Sequence, residues 1–411
     1  MSARVLLLMP TTTYKAQDFM DAADRLGVDV VVGTDRRQSL QDVAPGTTMT
    51  LDFERAERAV PQIVEAHTRD PFAAVVGTDD ETTVLAAAAG AALGLRHNTA
   101  EAARTARDKL ETRRRMQSSG MRCPGFLRVP LDDPPGEVAA AVRFPCVIKP
   151  LRMSASRGVL RADHLDEFVR AFARVAAIVR DSSEDGPSTD ALLVEDYVPG
   201  AEVAVEALLD AGSLRVLAVF DKPDPLEGPT FEETVFLTPS GLSAGVLSEV
   251  EREVAKGCRA LGLSEGPVHA ELRIAGDRPW LLEVAPRTIG GICSRTLRFG
   301  TGASLEEVIL RHALGLETVG LAREGRAAGV MMIPIPRAGI LREVAGLESA
   351  RAVRLVEDVT VSIHRGSALV PLPEGHQYLG FIFARGEHPG EVDRALRAAH
   401  ARLSFTVEPP D

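Results

Sequence analysis

The chain has 411 residues, 45% hydrophobic and 26% charged, the balance of a soluble globular protein long enough for two or three domains. Its net charge of −11, with no basic run longer than residues 113–115, argues against a nucleic-acid partner. The opening "MSARVLLLMP" is too short for a signal-peptide core or a membrane span. Cys123, Cys146, Cys258 and Cys293 lack C-x-x-C or zinc spacing, so reduced packing cysteines and a cytoplasmic location are expected.

The first 95 or so residues alternate strand and helix patterns. "RVLLLMP" reads as a buried strand, 14–26 as a helix, "VDVVVGTD" as a strand and 53–67 as a helix. "FAAVVGTDDETTVLAAAAGAALGL" then runs from strand into helix. This alternation predicts a parallel sheet covered by helices on both faces, an α/β fold. The corner "VVGTDD" is open to two readings, a ligand-binding turn or an ordinary connection. Residues 99–118 read as helical and heavily charged, and "PLDDPPGE" breaks the chain at 130–137. "FPCVIKP" is a short strand ending in Lys149, followed by the small-residue loop "LRMSASRGV". Asp163 is placed to cap a helix with an apolar stripe from Leu165 to Val179. "RDSSEDGPSTD" reads as a polar surface loop, and "ALLVEDYVPGAEVAVEALLD" as strand, connection, strand.

A helix over 245–262 precedes "VHAELRIAGDRPWLLEVA", which reads as a hairpin turning at Gly276-Asp277-Arg278. Its parity places Glu271 and Glu283 opposite one another on one face. Val268, Ala270, Leu272 and Ile274 line the other face, opposite Trp280, Leu282 and Val284. Like charges directly opposed across a strand pair are destabilising. Two explanations stay open: a divalent cation held by oxygen ligands, or acids facing water and neutralised by Arg273. After a helix near 304–315, a fresh α+β unit begins around 325.

Taken in order, "RDK" (Lys109), "FPCVIKP" (Lys149), "SASRG" (154–158), "VEDYVPGAE" (Glu195 to Glu202), "HAELR" (Glu271) and "EVAPRTIGG" (Glu283, Arg287) resemble the ATP-grasp superfamily of carboxylate–amine ligases. "VPLPEGHQYLGFIFARGEHPGEVDRALRAAHARL" and "PTFEETVFLTPSGL" resemble its L-amino-acid ligase branch. The resemblance implies an ATP-grasp fold, α+β in its grasp and carboxy-terminal parts, with a pre-grasp α/β domain over 1–98. The ATP-grasp domain would span 99–320 and the carboxy-terminal domain 325–411.

It also implies residue roles. Lys109 and Lys149 would contact ATP phosphates as point charges, beneath a loop of Ser154, Ala155, Ser156, Arg157 and Gly158. The Glu195 side chain and the backbone of Asp196, Tyr197 and Val198 would read adenine, and Glu202 would hold the ribose. Glu271 and Glu283 would bind Mg²⁺, two ions with Mn²⁺ able to substitute. Ala285 stands where many relatives place an Asn ligand. Arg287 would stabilise charge developing on the acyl phosphate. Glu233, with Glu232 beside it, would face the substrate amine, and Gly290 and Gly291 the substrate. His269 shares the Glu271 face and reads either as a site residue or as packing.

The implied reaction joins the carboxylate of one amino acid to the amine of another through an acyl phosphate, releasing ADP and phosphate, with no membrane and a homodimer left open. Its rivals are a purine-pathway or biotin-carboxylase-like member of the superfamily, and a nucleotide-binding subunit without turnover.

Overall fold

The computed structural model describes residues 2–37, 46–182 and 190–409; the polar loop expected over 180–190 lies mostly outside them. The amino-terminal unit follows the alternation its sequence predicts, with Thr48–Thr50 as a further, unpredicted strand. Strands Arg4–Leu8, Asp29–Thr34, Thr48–Thr50 and Ala74–Gly77 form one parallel sheet. Helices Ala16–Leu26, Ala56–Arg69 and Asp80–Leu93 accompany it. Asp79 caps the last of these through a reciprocal pair with Thr82, which leaves Asp80 and Glu81 in its first turn.

The charged segment after it is two helices, Ala100–Arg107 and Lys109–Ser118, rather than one. Asp108 adopts an extended backbone and accepts from the N–H groups of Leu110 and Glu111, so a new N-terminus forms there. That break puts Lys109 at the head of a helix.

A small lobe follows, a four-stranded antiparallel sheet of Phe126–Pro130, Ala191–Asp196, Cys146–Pro150 and Leu160–Ala162 in spatial order. Helix Leu165–Arg180 backs it, burying Phe168, Phe172, Val175 and Val179 against Ile148, Leu192 and Val194. His164, not Asp163, occupies the capping position, and Leu165 is exposed.

The largest sheet has eight strands: Arg278–Ala285, Gly266–Ala275, Ala201–Asp210, Ser213–Lys222, Val235–Thr238, Ala327–Ile333, Gly380–Gly386 and Val356–Val361. Every neighbouring pair is antiparallel. The first five strands come from the central part of the chain and the last three from its carboxy-terminal part, so one sheet spans both. One face of its first strands packs Val203, Val205, Val268, Ala270 and Val284 against helix Ala244–Leu261. On the opposite face, Ala204, Phe220, Phe236, Val330 and Phe381 join a core shared with Leu7 and Phe19 of the amino-terminal unit. Among the described residues no helix is long and apolar enough to cross a membrane.

Candidate active site

Strand alternation concentrates charge on one face of the eight-stranded sheet. Glu202 and Glu206 alternate with the buried Val203 and Val205; His269, Glu271 and Arg273 alternate with Val268, Ala270 and Leu272. In register, Glu202 sits between Arg273 on one neighbouring strand and Lys222 on the other, while His269 faces Glu206. Cross-strand neighbours of opposite charge stabilise such a face. Arg273 donates to Glu202 at 3.0 Å, and Lys222 donates to Glu202 at 2.8 Å and to Glu271 at 2.9 Å. A third acid, Glu233, also contacts the Lys222 ammonium.

Glu271 and Glu283 are directly opposed, as their spacing predicts. The expected parity fails two residues on. A bulge pairs Leu272 with Leu281 rather than Leu282. Leu281 therefore enters the core, while Leu282 lines the site and Trp280 lies opposite Arg273. The cation beside Glu271 is Lys222; Arg273 serves Glu202 instead.

Glu202, Glu233, His269, Glu271, Arg273, Leu282 and Glu283 border a cavity of about 320 Å³ reached by all three parts of the chain. Lys109 donates its backbone N–H to Leu151 at 2.9 Å and its ammonium to the Met153 carbonyl at 2.6 Å, 3.9 Å from Glu283. Lys149 and the fully buried Arg113 both clasp Glu195. Burial works against the charge on Glu195, but the two cations prevail and hold its pKa down at about 2. Burial pushes Lys149 below its ordinary value. The Glu195 carboxylate, which also lines the cavity, is thus paired with two protein cations. The N–H groups of Asp196 and Tyr197 are also taken, by the carbonyls of Gly125 and Pro145. A base would meet the rest of that segment, and both residues line the cavity with Val198.

The loop after Lys149 divides. Ser154, Ala155 and Ser156 line the cavity, the last two with φ of 53° and 55°, a turn that exposes backbone groups to a phosphate. Arg157 and Gly158 face the carboxy-terminal segment, bonding to Glu374 and Pro373.

At the far end, Arg287 donates to Asp80 and to the Thr288 carbonyl, both at 2.9 Å. Burial disfavours its charge, yet Asp80 holds its pKa above the ordinary guanidinium value. The "VVGTDD" corner is therefore part of the site. Its Asp79 lies 3.5 Å from Lys15, an ammonium buried on the Thr78 carbonyl. His269 bonds Glu206 at 2.6 Å and lies 3.6 Å from Glu271. Its burial opposes protonation, but Glu206 raises its pKa to about 9. Glu206 also accepts the Ile289 N–H at 3.1 Å, anchoring the turn that carries Gly290 and Gly291 along the cavity wall. Glu233 lines the cavity while its neighbour Glu232 does not. Burial pushes Glu233 up and Lys222 pulls Glu271 down.

Lys222, Glu206, Arg113 and Lys15 are site residues that the motifs did not single out. Lys222 continues the buried parity of Ala218 and Phe220, and Arg113 shares a three-residue spacing with the buried Leu110 and Met116. A charge on a buried stripe was the available signal.

The donor set suits a hard cation. Glu271 and Glu283 offer only carboxylate oxygens at the cavity wall, with Glu202 and Glu233 within reach of Glu271, and Ala285 supplies no further oxygen ligand from its side chain.

Carboxylates and lysines thus meet on one cavity between a small lobe and a large antiparallel sheet. Family models match in three places: an ATP-grasp N-terminal domain over 20–97, an ATP-grasp domain over 142–296 and an L-amino acid ligase C-terminal domain over 331–408. The chain belongs to the ATP-grasp superfamily and carries a carboxy-terminal domain of the L-amino-acid ligase type. An L-amino acid ligase from Bacillus licheniformis superposes with a TM-score of 0.82 at 25% identity, over 99% of both chains. Carnosine synthase 1 of Gallus gallus is 31% identical over 53% of this chain and 24% of its own length. The D-alanine–D-alanine ligase of Cupriavidus necator is 26% identical over 50% of this chain and 62% of its own. The chain thus spans less than two thirds of the first curated relatives it matches. ATP and Mg²⁺ are the general cofactors of the superfamily.

Proposed function

We propose that the chain is an ATP-dependent ligase that joins the carboxylate of one amino acid to the amine of another through an acyl phosphate, releasing ADP and phosphate. The observation that carries this reading is the opposition of Glu271 and Glu283 on a cavity that is also lined by Lys15, Lys109, Lys149, Arg273 and Arg287. Lysine and arginine side chains beside two opposed acids in one enclosure suit a triphosphate and its metal. The L-amino-acid ligase type of carboxy-terminal domain supports amino acids as the substrates.

Lys149 and Lys109, which is bonded to the loop that follows Lys149, would place the phosphates. Glu202, beside Lys222 at the cavity wall, is the residue we assign to the ribose. Mg²⁺ held by Glu271 and Glu283, as one or two ions and with Mn²⁺ as substitute, would spread the phosphoryl charge. The substrate carboxylate attacks the γ-phosphorus, giving acyl phosphate and ADP; the amine then attacks the acyl carbon and phosphate leaves. Arg287, fixed by Asp80, presents a preorganised donor to the developing oxyanion. Glu233 faces the amine side, with His269 supporting Glu271 from the neighbouring position. Gly290 and Gly291 leave the adjoining wall without side chains.

Phosphate release from ATP and Mg²⁺ across a matrix of amino-acid pairs, with mass spectrometry on positive wells, tests the proposal. A product equal to the sum of one pair minus water identifies the substrates. Binding of ATP without pair-dependent release in any well would overturn it.

A further inference from the structure

The phosphate-covering loop is fastened by the carboxy-terminal segment. Gly158 donates its N–H to the Pro373 carbonyl at 2.9 Å, and Arg157 donates to the Glu374 carbonyl at 3.0 Å. The Glu374 carboxylate reaches the back of the same lobe, where Arg174 grips both its oxygens at 2.6 and 2.9 Å. Arg174 belongs to the helix that backs the lobe carrying Lys149. Gly375 turns tightly enough that a Cβ there would lie 1.8 Å from the Val370 carbonyl, so the geometry of this turn is fixed. The next residues, His376, Gln377 and Tyr378, line the cavity.

We propose that Glu374 is a positioning residue for nucleotide binding: it latches the small lobe in its closed position and ties that closure to the wall formed by residues 376–378. This inference rests on the ligase reading for the identity of the nucleotide, and not for the latch itself. One end of the turn holds the loop over the phosphates while the other shapes the amine side, so both halves of the reaction are closed together. A loosened latch weakens nucleotide binding and admits water to the acyl phosphate. Water then takes the place of the amine at the acyl carbon, the carbon–oxygen bond to phosphate breaks, and the carboxylate and inorganic phosphate are returned without an amide.

Arg174 and Glu374 are both partly exposed, so their replacement leaves the core intact. Equilibrium binding of Mg–adenylyl imidodiphosphate to Glu374→Ala, Arg174→Ala, the double variant and the exchanged pair Arg174→Glu/Glu374→Arg reads the latch directly. Each single variant is expected to weaken binding about two- to fivefold, the scale of one solvent-exposed bidentate pair. The double should be no worse than either single, and the exchanged pair should recover affinity. Where an amide product is found, the ratio of phosphate to amide should rise in the single variants. Unchanged affinity in both singles, or additive losses with no recovery on exchange, overturns the proposal. A wild-type protein that binds the analogue but makes no amide would defeat the ligase reading while leaving this test in force.

Discussion

Arg287 reaches out of the hairpin that carries Glu283 and donates to Asp80, in the first turn of an amino-terminal helix, at 2.9 Å. The two residues are 207 positions apart, and no local pattern links them. Their pairing makes the amino-terminal unit a component of the site, since it fixes the guanidinium we assign to transition-state charge.

Replacing Arg287 with Ala should lower turnover about 10²–10³-fold, the scale of one lost oxyanion donor, while Mg–ATP affinity stays near wild type. Steady-state kinetics with a separate binding isotherm checks this; a large loss of nucleotide affinity would argue for a ground-state role. Asp80→Asn keeps Arg287 but removes its counter-charge. It should lower turnover and destabilise the fold by about 1–3 kcal/mol, read from the urea midpoint.

Glu283→Gln should abolish ADP formation, because one of the two opposed cation-binding carboxylates is gone. Mg²⁺ titration of the variant should show no saturable activity. Turnover at the wild-type level would remove Glu283 from the metal site.

Glu202→Ala should raise the KM for ATP. It also strips Lys222 and Arg273 of a shared buried partner, so a loss of about 3–5 kcal/mol of stability is expected. Thermal unfolding and kinetics together separate the effects, and an unchanged KM in a folded variant would free Glu202 from the ribose.

Glu195 gives a pH signature. Its pKa falls from 4.5 to about 2 on folding, so its stabilisation is complete above 4.5 and is lost as pH falls toward 2. The difference corresponds to about 3 kcal/mol. Glu195→Gln should unfold more easily at neutral pH and show a flatter loss of stability between pH 4.5 and 2 than wild type. Denaturant midpoints across that range decide it.

Much of this site was legible because strands repeat every two residues. That period placed Glu271 opposite Glu283 and brought His269 to the same face. It failed at Leu282, where one additional residue in the strand reverses the parity of everything before it, a bulge that hydrophobicity alone does not encode. Asp108 illustrates the same limit: as a charged residue in a helical pattern it signals nothing, yet its capping bonds divide one helix into two. The pairings of Glu195 with Arg113, Lys15 with Asp79 and Arg174 with Glu374 join residues distant in sequence. They follow from how the units pack, which motif order leaves open.

The strand Val235–Thr238 is bonded along its length to Ala327–Ile333, so the carboxy-terminal segment is not a cassette that recombination can exchange at residue 325. Cutting there would bare the edge of a buried apolar strand and invite association between truncated copies. Chimeras intended to alter substrate choice therefore need to carry both strands from the same parent.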